Sequence, residues 1–407
     1  MRKISKHAIG VSLVVVACFV CLVFFFLPNI FPDTYRSEAL VLSATSSKAS
    51  SSDTSVPVAT HVKTPEAVKA IYMTQCVVGT PSLRKKLVDL VDTTELNSIM
   101  IDIKDFSGTI SFKTKNPLLA ASSMKGCGAY DMREFIASLH EKNIYVIGRI
   151  TVFQDPFYTK AHPEQAVQSK QGGVWKDRKG LSFIDVSSKA YWDVVIQLSK
   201  ESYELGFDEL NYDYIRYPSD GNMADTSYVN PNKQEALETF FKYLHEHVSP
   251  LGVVTSADLF GMTTVAYDDM GIGQMLEQAL PYFDYIAPMV YPSHFGKGFN
   301  GYADPNKNVY GVIAHSMGEA VKRTEATTTR ISFIGAEPIA STSPKLYKKP
   351  AYPRAKLRPW LQDFSYGGIY GAKEVRDQIQ ATYDVGLTSW MLWSPSNRYT
   401  SSALNTN

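Results

Sequence analysis

What most constrains this chain is a regular alternation of two kinds of segment. Short apolar runs that read as strands occur at Ala70–Gln75, Ser98–Ile103, Ile144–Arg149, Glu209–Asp213, Val253–Ala257, Tyr285–Val290, Arg358–Phe364 and Leu387–Trp393. Segments of helical period follow most of them: Ser82–Leu96, Asp131–Lys142, Ser188–Gly206, Lys233–His247, Asn306–Thr324 and Lys373–Val385. The fifth connection holds only a short candidate, Gly271–Leu280. Strands separated by crossover helices pair in parallel, and eight of them predict an α/β fold, a (β/α)8 TIM barrel. An open doubly wound sheet is the competing solution. No Gly-rich phosphate loop follows the first strand, which argues against the nucleotide-binding version of that sheet.

The barrel does not account for the N-terminal stretch. Arg2, Lys3 and Lys6 precede an uncharged run from Ala8 to Leu27, long enough to cross a bilayer core of about 30 Å. The run exceeds the apolar core of a cleaved signal peptide, and Leu27-Pro28-Asn29-Ile30-Phe31-Pro32 offers no small-residue cleavage site. The expectation is an uncleaved single-pass anchor with residues 1–7 cytoplasmic, residues 8–27 in the lipid bilayer and the remainder extracytoplasmic. Residues 28–64 read as a Ser/Thr-rich linker, including Ser46-Ser47-Lys48-Ala49-Ser50-Ser51-Ser52, residues 65–400 as the barrel and 401–407 as a tail. Cys18 and Cys21 fall within the anchor. Cys76 and Cys127 fall outside it, where a disulfide and two free buried thiols are both open.

A formal net charge of +1 gives no electrostatic case for nucleic acid as a partner. No motif requires a metal or another cofactor. The 24 tyrosines are compatible with carbohydrate contact and equally with filling a large core. Long connections follow the second, third and sixth strands, at the face where barrels build sites. The segment Glu325–Lys356 precedes the seventh strand and is expected on the opposite face, with Ile331–Ala336 as an additional strand.

The candidate chemistry lies at strand ends. In Gly206-Phe207-Asp208-Glu209-Leu210-Asn211-Tyr212-Asp213-Tyr214-Ile215-Arg216-Tyr217-Pro218, the residues Glu209, Asn211 and Asp213 share one strand face. Glycoside hydrolysis needs two carboxyls flanking the scissile bond, and Asp213 and Asp258, on adjacent strands about 4.8 Å apart, are the natural pair. Asp213 is read as the nucleophile, held ionised by Lys104, Arg149 and Arg216. Asp258 is read as the acid, its pKa raised by the apolar run Leu259-Phe260-Gly261-Met262. The substrate-binding candidates are Asp102, Lys104, Arg149, Asn211, Arg216, Tyr291, His294, Trp360, Gln362, Trp393 and Asn397. Structural readings stand beside these. Asp213 could pair with Arg149 or Arg216, Asp258 could cap a helix or bind a loop, and Asp102 with Lys104 could form an interior pair. Glu209 could be an interior ion-pair partner, and Trp360 and Trp393 could be core aromatics.

Taken together these motifs resemble the glycoside-hydrolase-like barrels of the DUF4015 type. The resemblance runs from about Ala70 to Tyr399. It is carried by Ile101-Asp102-Ile103-Lys104-Asp105, Ile147-Gly148-Arg149-Ile150-Thr151, Gly173-Val174-Trp175-Lys176-Asp177, the 206–218 run, Met289-Val290-Tyr291-Pro292-Ser293-His294, Arg358-Pro359-Trp360-Leu361-Gln362-Asp363 and Trp393-Ser394-Pro395-Ser396-Asn397. It implies a barrel related to alpha-amylase-like glycosidases, with an Asp nucleophile at the end of the fourth strand, matching Asp213. Those barrels usually carry an Arg two residues earlier, where this chain has Asn211, and a Glu acid on the fifth strand, where this chain has Asp258. The expected substrate is a cell-surface or extracellular polysaccharide or oligosaccharide. A glycan-binding barrel without catalysis, which Asn211 favours, and a transglycosylase are the alternatives.

Overall fold

A computed structural model describes residues 59–407. The basic flank, the expected anchor and most of the linker lie outside the described residues; among those described, no helix is long and apolar enough to cross a membrane. Eight strands form a closed, all-parallel barrel in chain order: β1 Lys69–Met73, β2 Ser98–Lys104, β3 Tyr145–Thr151, β4 Glu209–Asp213, β5 Val254–Phe260, β6 Tyr285–Met289, β7 Trp360–Gln362 and β8 Trp390–Trp393. The outer helices are α1 Pro81–Asp92, α2 Met132–His140, α3 Lys189–Leu205, α4 Lys233–Val248, the single turn α5 Leu276–Ala279, α6 Val309–Glu325 and α7 Ala372–Asp384. This is the (β/α)8 arrangement expected from the alternation.

Local chemistry sets the boundaries that matter for the site. α3 stops at Gly206, whose φ of +116° is left-handed and lets its N–H close on Ser202 and Tyr203 carbonyls. The chain then enters β4 in the register that pairs Arg149 with Asn211 and Thr151 with Asp213. Strand parity divides the apolar side chains between two cores. Outward residues such as Leu210, Tyr212 and Ile150 pack beneath the helices. Inward residues, among them Ala70, Tyr72, Met100, Tyr145, Ile147, Ala287, Trp360 and Met391, fill the barrel. Each fully buried Leu or Ile in these cores contributes about 1.5–3 kcal/mol. The β6–β7 seam is thin, with the single ladder pair Trp360 and Met289, and β6 contains Pro288, which has no N–H to donate.

The N-terminal end of the barrel is closed by residues assigned from sequence to the linker. Val62 N donates to Asp208 Oδ1 at 2.7 Å, Thr64 Oγ1 meets Tyr145 Oη at 3.0 Å, and His61 stacks on Tyr203. The 401–407 segment also packs onto the barrel, with Ala403 and Leu404 buried and Glu95 N bonded to the Asn405 carbonyl. Deeper inside, Arg358 donates to Glu209 Oε2 at 2.7 Å, so Glu209 is an interior ion-pair partner. Within 325–356, the sequence expectation needs correction. Ile331–Ala336 is a turn, with Gly335 at φ +80° and Ile334 exposed, while Thr328–Thr329, Glu337–Pro338 and Tyr347–Lys348 form a small antiparallel sheet.

At the C-terminal end the loops after β1 and β2 are joined by a Cys76–Cys127 disulfide. The loops after β3 and β4 meet in a two-stranded pairing of Gln168–Ser169 with Thr226–Ser227, around Val167, Trp175 and Phe183. The loop after β4 also supplies Tyr214 and Arg216 to the mouth.

Candidate active site

The C-terminal mouth opens into a cavity of about 350 Å³, lined by Arg149, Asp213, Tyr214, Arg216, Asp258, Phe260, Met262, Tyr291, His294, Trp360 and Trp393, among others. Its organising group is Arg149. From β3 it donates through Nε to Asp213 Oδ2 at 3.0 Å and through Nη2 to the same oxygen. Its Nη1 reaches Asp102 Oδ1 at 2.7 Å. Asp258 Oδ2 lies 4.0 Å from Nε. One nitrogen thus lies near an oxygen of each carboxylate, so Asp213 Oδ2 and Asp258 Oδ2 are at most about 7 Å apart. Asn211 stands beside Arg149 in register, so the guanidinium next to the fourth-strand carboxylate comes from the neighbouring strand.

The two carboxylates have different surroundings. Asp213 Oδ1 accepts the Tyr214 N–H at 2.6 Å, and its Oδ2 accepts from Arg149, so donors to its charged form surround it. Tyr214 has φ +51°, an uncommon conformation for a bulky residue and a mark of local strain beside the cavity. Asp258 is fully buried. Its Oδ1 accepts from Asn211 Nδ2 at 2.9 Å and Trp360 Nε1 at 2.8 Å, leaving Oδ2 without a close donor. Burial, and then the charge of Asp213, push its pKa well above the usual carboxylate range, although Arg149, Asn211 and Trp360 oppose the shift. Phe260 and Met262 line the cavity beside it, as the apolar run after Asp258 predicts.

Asp102 lies beneath Arg149 and also accepts from the Tyr72 hydroxyl. Burial raises its pKa to about 6 against the opposing effect of Arg149. Lys104 does not join it. The β2–β3 register shifts between Asp102 and Lys104, so the expected i, i+2 relation breaks. Lys104 Nζ instead meets Asp155 Oδ2 at 2.9 Å and the Thr151 carbonyl, away from the cavity. Gln362 and Asn397 are also outside the lining. Gln362 holds Ser293 N and the Phe364 carbonyl, and Asn397 holds Thr74 N and the Tyr72 carbonyl. Both tie loops together at the mouth.

Tyr291 is buried and meets His294 and Phe364 edge-on, while His294 stays exposed at the rim. Trp393 stacks on Tyr72 at 4.1 Å and meets Trp360 edge-on at 5.5 Å. Trp360 therefore serves the core and the site at once. Tyr72 and Tyr214 were not assigned to the site from sequence. The parity that placed Asp213 would also have placed Tyr72 inward on β1, and Phe260, expected in the apolar wall beside Asp258, sits at the end of a β5 that runs three residues past its expected end.

A closed (β/α)8 barrel with two neighbouring carboxylates at the C-terminal ends of β4 and β5 has the architecture of a glycoside hydrolase. Residues 70–399 match the family described as a putative glycosyl hydrolase domain, DUF4015, and the chain belongs to that family. Among solved structures, the glycoside hydrolase domain of PgaB (BpsB) from Bordetella bronchiseptica is similar at 11% identity and TM-score 0.54, covering 81% of this chain and 94% of that one. That likeness is one of fold. A hypothetical protein from Ruminiclostridium thermocellum ATCC 27405 is 33% identical over 46% of this chain and 96% of its own, with TM-score 0.43. The spore cortex-lytic enzyme SleL from Bacillus megaterium QM B1551 is 9% identical, with TM-score 0.44, over 86% of this chain and 74% of that one. No curated protein matches the chain.

Proposed function

We propose that this protein hydrolyses a glycosidic bond in a cell-surface or extracellular polysaccharide, with Asp213 as nucleophile and Asp258 as acid/base. The observation that carries the reading is the contrast between two neighbouring carboxylates. One is surrounded by donors from Arg149 and Tyr214, and the other is buried with one oxygen left for a proton. In the first step Asp213 attacks the anomeric carbon as the bond to the leaving oxygen breaks, and Asp258 gives that oxygen its proton. In the second, ionised Asp258 takes a proton from water, which attacks the same carbon and releases Asp213. The bound of about 7 Å between the two carboxylate oxygens favours this retaining sequence over most inverting geometries, which need about 6.5–9.5 Å. Trp360 and Asn211 fix the rotamer of Asp258, while Tyr291, Trp393 and His294 offer ring faces and edges to a sugar.

The Arg149 guanidinium beside Asp213 weakens the case for a binding module that has lost catalysis, because Asn211 no longer implies a missing cation. The placement we propose is extracytoplasmic, on a single-pass anchor formed by residues 8–27. The Cys76–Cys127 disulfide supports an oxidising compartment. The test is a screen of polysaccharides for release of reducing ends by the wild-type protein and Asp213→Asn. Release by the wild type, with at least a 10³-fold loss in the variant and glycan binding retained, supports the proposal. Unchanged turnover in the variant removes Asp213 from the mechanism. Recovery of the full-length chain in the soluble fraction would overturn the anchor.

A further inference from the structure

Arg216 is the cation at the mouth that the hydrolytic pair does not use. Its side chain is 7% exposed, yet it makes no ion pair with any described residue. Its guanidinium sits 4.8 Å from the ring centre of Tyr214 and 4.7 Å from that of Phe260, both cavity-lining residues. Nη1 donates to the Tyr217 carbonyl and Ser219 Oγ, each at 3.0 Å, and the Tyr214 side chain also supports the charge.

The Nε–Nη2 edge has no carboxylate partner among the described residues. Elsewhere in this protein that edge is used for carboxylates: Arg149 holds Asp213, Arg323 holds Glu277 at 2.9 and 2.5 Å, and Arg354 holds Glu325 at 2.7 and 3.0 Å. The acids around Arg216 stay beyond ion-pair distance: Asp177 accepts the Lys179 and Leu181 N–H groups on Oδ1, Asp220 pairs with Arg178, and Asp213 is held by Arg149. A guanidinium desolvated to this degree is costly unless an anion completes it, and its planar fork matches carboxylate, phosphate and sulfate oxygens. Burial lowers its pKa, outweighing the opposing effects of Tyr214, Asp213 and Asp177.

We propose that Arg216 reads an anionic substituent on the sugar held beside Asp213, so that the substrate is an acidic glycan bearing a carboxylate, a phosphate ester or a sulfate ester. The proposal rests on the glycoside-hydrolase reading and narrows its substrate class. Tyr214 and Phe260 hold the guanidinium plane, and the free edge faces the substituent.

The test is calorimetric binding of matched oligosaccharide pairs to the wild-type protein, Arg216→Gln and Arg216→Lys. The probes are glucuronate- or galacturonate-containing oligomers, and 6-phosphorylated and 6-sulfated oligomers, each against its neutral parent. The expected result is a preference of at least tenfold for one acidic class, weakened by salt, reduced to near unity in Arg216→Gln and partly kept in Arg216→Lys. The class that shows the preference identifies the anion. Thermal melting of each variant separates loss of recognition from loss of fold. Equal binding of acidic and neutral partners, or a preference that survives in a folded Arg216→Gln, overturns this inference alone. Binding of no oligosaccharide in the panel overturns the glycoside-hydrolase reading and this inference with it.

Discussion

Replacing Arg149 by Met removes the charge that organises the mouth while keeping an unbranched stem in the barrel. In the native protein this guanidinium gives two hydrogen bonds to Asp213 and one to Asp102, with Asp258 4.0 Å away, and all four side chains are nearly inaccessible to solvent. Taking away one member of a buried ion-pair cluster costs about 3–5 kcal/mol, because the partners are left as unpaired charges. The carboxylates can escape that cost only by binding protons. Asp102 shows the tendency even in the native protein, where burial holds its pKa at about 6. Without Arg149 the folded variant binds more protons than the folded wild type above about pH 4, while the unfolded chains bind the same number, so the variant's deficit must grow as pH rises. Urea unfolding followed by tryptophan fluorescence, at pH values from 4 to 8, reads this directly. The expected deficit is about 3–5 kcal/mol at pH 8, falling to about 1–2 kcal/mol at pH 4, where lost hydrogen bonds and packing remain. A deficit independent of pH, or below about 1 kcal/mol at pH 8, would refute the electrostatic account.

Two other perturbations probe neighbouring parts of the structure. Trp360→Phe deletes the indole N–H that supports ionised Asp258, so the basic limb of the pH–activity profile should move to higher pH. A limb that stays in place or moves down would detach Asp258 from the acid role. Replacing Cys76 and Cys127 together by Ser opens a loop of 51 residues and should cost about 4 kcal/mol by the chain-entropy relation, measured by urea unfolding against the oxidised protein. A loss under about 1 kcal/mol would place the loop constraint elsewhere.

The barrel was legible because its signal is repeated. Each strand's apolar run and each helix's periodicity carry the same message, so errors at single boundaries, such as the short observed span of β7, leave the topology intact. Asp213 and Asp258 were legible for a related reason, since strand parity and chain-order neighbourhood bring them together. Lys104 was misplaced because that parity assumes an unbroken ladder, and the register shift after Asp102 removes it. The role of Arg149 depended on a quantity sequence does not carry, the relative register of β3 and β4. That register supplies a guanidinium beside Asp213 and removes the apparent defect at Asn211. The Cys76–Cys127 pairing required knowing that the loops after β1 and β2 meet at one end of the barrel. Arg216 was visible as a basic residue, but that no carboxylate comes within ion-pair distance of it depends on where the loops place Asp177, Asp213 and Asp220.

The central claim is that Asp213 attacks the sugar while Asp258 handles the proton. Its most direct test is intact and peptide mass spectrometry of Asp258→Ala incubated with a substrate found in the reducing-end screen and carrying an activated leaving group. Loss of the acid/base should slow the release step, so a glycosyl adduct should accumulate on the peptide containing Asp213. An adduct on a different residue, or full turnover in Asp258→Ala with no adduct, would contradict it.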